Sequence, residues 1–157
     1  MVEIRAAVLA DIPEIVKLAK EAHATSRYSS FSHLDVETVK AMSIESIAQN
    51  KTGRGAFLVA DNGEGLEGCF LGTVTPLYAM LDVMVASNQF FYTAETSRVT
   101  TALRLIRTFM RWAGQTDKKL IYRLWMTDAM GNLEQLDRMM ISLGFHLSGG
   151  TYDKENF

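Results

Sequence analysis

Apolar residues recur at helical spacing in four stretches of the chain, and shorter apolar runs between them read as strands. Residues 3–9 form the first strand, and Asp11 follows as a helix cap with Pro13 and Glu14 in the first turn. Ile12, Ile15, Val16, Ala19 and Ala22 then make one stripe. The serine-rich segment 24–33, with Tyr28 and Phe31 interleaved, has no period and reads as a loop. Asp35 starts a second helix with a weaker stripe through Val36, Val39, Met42 or Ser43, and Ile47, ending near Gln49. Residues 56–60 and 68–74 are partner strands around the turn Asp61-Asn62-Gly63-Glu64-Gly65, and Pro76 is expected to stop the second.

The second half repeats the alternation. Residues 83–92 form a further strand region, whose last part, Asn88-Gln89-Phe90-Phe91-Tyr92, ends at Thr93-Ala94. The loop Glu95-Thr96-Ser97-Arg98 leads straight into a helix over 99–113. That helix is expected to bury Val99, Ala102, Leu103, Ile106, Met110 and Ala113, and to show Arg104, Arg107 and Arg111 on another face. Residues 119–126 are another strand. Asn132 caps a last helix, with Leu133, Leu136, Met140 and Leu143 inward, Gly144 as its left-handed C-cap and Phe145 as the contact beyond. Thr151-Tyr152-Asp153 is a candidate closing strand. With no internal repeat or linker, the order fits one mixed α/β domain over 1–157.

Composition narrows the setting more than the chemistry. At 157 residues one domain can bury a proper core. A net charge of −2 leaves no basic field for nucleic acid or an anionic membrane. Cys69 is the only cysteine, which excludes an intramolecular disulfide and fits a reducing, cytoplasmic interior. Lying in the apolar run Cys69-Phe70-Leu71, it reads as a buried, inert thiol. The N-terminus shows no signal pattern, and no apolar run reaches membrane-spanning length. His23, His33 and His146 have no metal-ligand spacing, so no metal is expected. Trp112 and Trp125 are expected in the core.

The stretch 88–116 carries the chemical hint. A helix N-terminus fed directly by a strand gathers unpaired N–H groups and the positive end of the helix dipole, an arrangement suited to phosphate oxygens. The loop before it has no glycine, which close approach of backbone to phosphate usually needs.

Element order, the opening Ile4-Arg5-Ala6-Ala7 through Asp11-Ile12-Pro13-Glu14-Ile15, and the ending Gly131-Asn132, Leu143-Gly144-Phe145 and Tyr152 together resemble the GCN5-related N-acetyltransferase superfamily. The resemblance covers nearly the whole chain. Ser87-Asn88-Gln89, the glycine-free loop and Trp125 are similar to the divergent phage-encoded branch, which makes a phage virion the alternative location. The superfamily implies a mixed, mainly antiparallel sheet with splayed central strands and about four flanking helices. It also implies transfer of an acetyl group from acetyl-CoA to an amine, on a protein or a small molecule. The pantetheine arm would lie between strands 83–92 and 119–126, and the pyrophosphate on the loop amides. The positions so implied for the cofactor are Phe91, Tyr92, Thr93, Thr96, Ser97, Arg98, Val99, Thr100 and Asn132.

Three signature positions of that loop depart from the family. Glu95 stands for Gln or Arg, Arg98 for the first Gly, and Thr100 for the second. Glu95 opposes a pyrophosphate, whereas Arg98 could pair with one from the side. Ser97 or Thr96 could equally be a plain helix cap. The family's proton-donating tyrosine falls on Met140 or Met139, which read as core packing. Tyr92, Tyr122 and Tyr152 are the substitutes, and Tyr152 with Asp82 as base completes the expected catalytic pair. Glu95 stands behind Asp82 as a second candidate base. The segment 24–33 corresponds to the acceptor loop. A homodimer is compatible with this reading, and an RNA-linked acceptor is disfavoured by the charge. The competing reading is an inactive structural or interaction protein on the same fold.

Overall fold

A computed structural model describes residues 1–97, 99–130, 132–151 and 153–156, the side chain of Asp128 excepted. The elements are β1 (Glu3–Ala6), α1 (Ile12–Thr25), α2 (Val36–Thr52), β2 (Gly55–Asp61), β3 (Leu66–Leu77), β4 (Met80–Thr93), α3 (Val99–Ala113), β5 (Lys119–Arg123) and α4 (Leu133–Ser142). Five strands form one sheet in chain order, antiparallel except for the parallel pair β4–β5. A parallel neighbour needs a crossover, and α3 supplies it. The mixed, mainly antiparallel sheet with four α-helices is the expected architecture.

Alternation along the central strands divides the core in two. Ala56, Leu58, Ala60 and Phe70 pack on α3, while Phe57, Val59, Cys69 and Leu71 join a cluster with Ile15 and Leu18 of α1 and Ile47 of α2. Strand β2 is therefore buried on both faces. Burial pushes the Cys69 thiol up to about 12, in keeping with an inert side chain. Asn62 accepts from the amides of Glu64 and Gly65 to close the β2–β3 turn, and Gly63 takes φ +90° there.

Several expectations need correction. Helix α3 buries Thr101, Ala102, Leu105, Ile106, Phe109 and Ala113, while Val99 is 65% exposed. The stripe is rotated because Phe109 fills the space over Gly72, where a Cβ would lie 2.4 Å from the ring. Strand β3 runs through Pro76 to Leu77. Past Thr73 it has β4 on one side and no β2 on the other, an edge where proline is tolerated. Strand β5 stops at Arg123, and Trp125 is exposed rather than in the core. Thr151 and Asp153 lie in no strand, and Tyr152 is outside the described residues. No helix among the described residues is long and apolar enough to cross a membrane.

Asp11 does not cap α1 with its side chain. Its carboxylate instead takes two 2.8 Å bonds from the Arg5 guanidinium and one from the Val8 amide. Arg5 also reaches Asp61, 2.8 Å away, and so ties β1 to the end of β2 and the start of α1. The Arg5 bonds hold the Asp11 carboxyl below its ordinary value against the opposing effect of burial. The Gly63 amide, then Arg5, do the same for Asp61. Carboxyls depressed in the folded state stabilise it above the unfolded value, about 4, and the gain is lost as pH falls through the folded value. Asp11→Asn should therefore lower stability at neutral pH and flatten its acid dependence. Urea unfolding at a series of pH values measures this, and curves that stay parallel to wild type would contradict it.

Candidate active site

Strands β4 and β5 pair from Val83↔Lys119 to Ser87↔Arg123 and then separate. At the next residue the ladder passes to a side chain. The Trp125 amide donates to Asn88 Oδ1 at 2.7 Å, and Asn88 Nδ2 donates to the Trp125 carbonyl at 3.0 Å. A carboxamide offers the same donor and acceptor as a peptide group, so Asn88 replaces one rung while the backbones diverge. On the opposite edge of β4, Gln89 is the extra residue between Asn88↔Gly72 and Phe90↔Leu71. Such a bulge bends its strand. From Gln89 onward β4 pairs with β3 alone.

A cavity of about 530 Å³ lies further along, at the end of β4. It is bounded by residues 92–95, by Ser97, Val99 and Ala102 at the start of α3, and by Asn132, Leu136 and Met139 of the α4 end. Thr25, Tyr92, Ala94 and Glu95 border both it and a second cavity of about 510 Å³, which Glu14, Glu21, Glu64 and Glu67 line with Lys17. A third, of about 370 Å³, lies between α1, α2 and the bulged part of β4.

The loop before α3 is held by its own backbone. The Ser97 amide donates to the Ala94 carbonyl at 2.8 Å, and the Ala94 amide to the Glu67 carbonyl at 2.9 Å. In the first turn of α3 the buried Thr101 hydroxyl donates to Glu67 Oε1 at 2.6 Å. A protein carboxylate thus already sits at the positive end of the helix. Asn132 Oδ1 accepts from the amides of Glu134 and Gln135 and caps α4. Burial, and then the carboxylates of Glu21 and Glu95, push the Tyr92 phenol above its ordinary value, so it keeps its proton at neutral pH.

Tyr92, Thr93, Ser97, Val99 and Asn132 meet around the first of these cavities, and Thr96 borders the second. The Phe91 ring turns into the core, 5.3 Å from Phe70. Thr100 is exposed and borders none of the three cavities. Asp82 pairs with Lys119 at 3.9 Å on the exposed far end of β4, roughly 20 Å along the strand from Asn88. Arg98 and Tyr152 lie outside the described residues. Met139 and Met140 are buried in the core, as their type suggests. Among the described residues no cluster of His, Cys, Asp and Glu could hold a metal. Sequence reasoning missed three features: Asn88 as the rung, Glu67, and His23, whose Nε2 is buried without a partner among the described residues. Asn88 alone left a signal, as an asparagine within an apolar strand.

Known structures share this frame. The chain matches a transcriptional regulator from Bacillus halodurans C-125 over 99% of its own length and 100% of the other's, with TM-score 0.73 and 19% identity. It matches the glucosamine-6-phosphate N-acetyltransferase of Arabidopsis thaliana over 99% and 98%, with TM-score 0.72 and 8% identity. A third match is a predicted acetyltransferase with acetyl-CoA from Clostridium acetobutylicum, over 99% and 96%, with TM-score 0.69 and 15% identity. The fold is that of the GCN5-related N-acetyltransferases. No protein-family model and no curated protein matches the sequence, so the likeness is one of acetyltransferase fold.

The Asn88 rung is testable without any ligand. Asn88→Ala leaves both Trp125 backbone groups unpaired by β4 and should cost about 1–3 kcal/mol of stability. Hydrogen exchange at the Trp125 amide should speed up; an unchanged exchange rate would show that Asn88 does not hold the fork.

Proposed function

We propose that the chain is an acetyl-CoA-dependent N-acetyltransferase acting on an amine at the opening between β4 and β5. The observation that carries this is the divergence of β4 from β5 at Asn88, beside a cavity closed by α3 and α4. The acetyltransferase fold and the acetyl-CoA present in the Clostridium acetobutylicum structure support it. A cofactor arm carrying amides would meet the edge of β4 over 89–93, which has no strand beside it. Ala102, Leu136 and Met139 provide apolar contact in the same cavity. The loop fits the diphosphate less well, because the Ser97 amide is spent within the turn and Glu67 and Glu95 put negative charge there. Bound acetyl-CoA would supply an acyl thioester open to attack by an amine.

The proton chemistry falls to Tyr92. Tyr122 already donates its hydroxyl to the Met110 carbonyl at 3.0 Å, and neither buried methionine has a proton to give. Tyr92 lines the cavity and keeps its phenolic proton, so its oxygen can deliver one to a leaving sulfur. Tyr92→Phe should lower kcat about a hundred-fold while leaving acetyl-CoA affinity in place. Steady-state kinetics with calorimetry decide this, and an unaffected kcat would remove Tyr92 from the mechanism.

A second reading, a non-catalytic protein that uses this fold for interaction, is favoured by the spent Ser97 amide and the two carboxylates at α3. Calorimetric titration separates the two. Acetyl-CoA should bind saturably, and Glu95→Gln should tighten it several-fold, as expected when a charge repulsion of about 1 kcal/mol is removed. No binding up to millimolar acetyl-CoA, in wild type and variant alike, would hand the case to the second reading.

A further inference from the structure

We propose that the cavity of about 370 Å³ between α1, α2 and β4 binds a neutral aromatic amine, with Nε2 of His23 as its hydrogen-bond partner. The inference rests on the transfer reading above, for which this amine would be the acceptor. Its volume lies at the small-ligand end of known pockets. Ile15, Phe57, Leu71 and Phe90 make its walls apolar. Ser26 and Ser43, which also border it, spend their hydroxyls on the carbonyls of His23 and Val39 at 2.8 Å. His23 Nε2 is buried and has no partner among the described residues, a costly state until something bonds to it.

Location ties the cavity to the opening. Gln89 and Phe90, the bulged part of β4, form one wall, and Ala129 borders both this cavity and the one between α3 and α4. A ligand seated beside His23 therefore lies next to the fork in the sheet.

Charge selects the amine. His23 and Tyr28 are the titratable groups among the described lining residues, and no Asp, Glu, Lys or Arg is among them. An alkylamine is an ammonium ion at neutral pH, and it would give up water here with no carboxylate in return. An arylamine is uncharged, because the ring withdraws the nitrogen lone pair, and its N–H can be donated to His23 Nε2 as it stands. The contrast is the separate cavity bordered by Tyr92, where Glu14, Glu21, Glu64, Glu67 and Glu95 gather. A cationic amine would favour that side.

The test uses two probes with the same body, 4-butylaniline and 4-butylbenzylamine, titrated calorimetrically into the full chain. At neutral pH the aniline should bind at least about ten-fold more tightly, and the gap should narrow in buffer alkaline enough to neutralise the benzylamine. It should also shift the His23 imidazole nitrogen resonance. His23→Phe should weaken the aniline about ten-fold, the worth of one hydrogen bond, and His23→Gln should recover part of the loss. Equal or tighter binding of the benzylamine at neutral pH would overturn the proposal. So would an unmoved His23 resonance, or a His23→Phe variant that binds as wild type. Aniline binding without acetyl-CoA binding would sink the transfer reading and leave the pocket. The reverse result would sink this inference alone.

Discussion

Two hydrogen bonds between the Asn88 carboxamide and the Trp125 backbone set the shape of everything around them. Parallel strands have no intrinsic reason to part after a few rungs, and the backbone groups freed by parting are costly if buried. Asn88 removes that cost at the point of separation, since it completes the pairing of Trp125 after β4 itself has turned away. The Gln89 bulge bends β4 at the same place from its other edge. A rung made of side chain and a bulge in adjacent residues convert a continuous sheet into a fork. The two cavities that share Tyr92 and the one beside His23 all border the stretch of β4 that follows.

The frame of the protein could be read from its sequence because its signals are local. The Asn62–Gly65 turn, the stripe of α1 and the Asn132 cap each depend on neighbours within a few residues. What stayed hidden depended on distant partners. Two stripes on α3 overlap, and only the empty space over Gly72, brought in from β3, decides that Phe109 rather than Met110 goes fully inside. Asp11 sits where a capping residue should, yet Arg5 claims its carboxylate. Asp82 opens the strand region, and a strand of this length carries it to the end far from Asn88. Glu67 gave no warning, since its role exists only once β3 lies under the first turn of α3.

Electrostatically the region is divided rather than uniform. The positive end of α3, the natural seat for an anion, has a protein carboxylate bonded into its first turn. Glu95 adds to the negative character; both line the cavity of about 510 Å³, and Glu95 borders the one of about 530 Å³ as well. The cavity beside His23 has no charged lining residue among those described. The Tyr92 phenol, buried and facing Glu21 and Glu95, holds its proton more firmly than a solvated one would. Charged side chains around Tyr92, and none among the described lining residues beside His23, give the fork two chemically distinct approaches.

The crossover through α3 has a consequence for how the molecule comes into being. Strands β2, β3 and β4 follow one another in the chain and can zip together as soon as their turns close. Strand β5 can join only after α3 has carried the chain back, and contacts of such long separation form slowly. It then holds β4 over residues 83–87 and through one side chain beyond. The fork therefore forms only after the crossover has closed, and a local opening of β5 would dissolve it while the meander stays intact. The meander of β2, β3 and β4 can be paired before the fork exists.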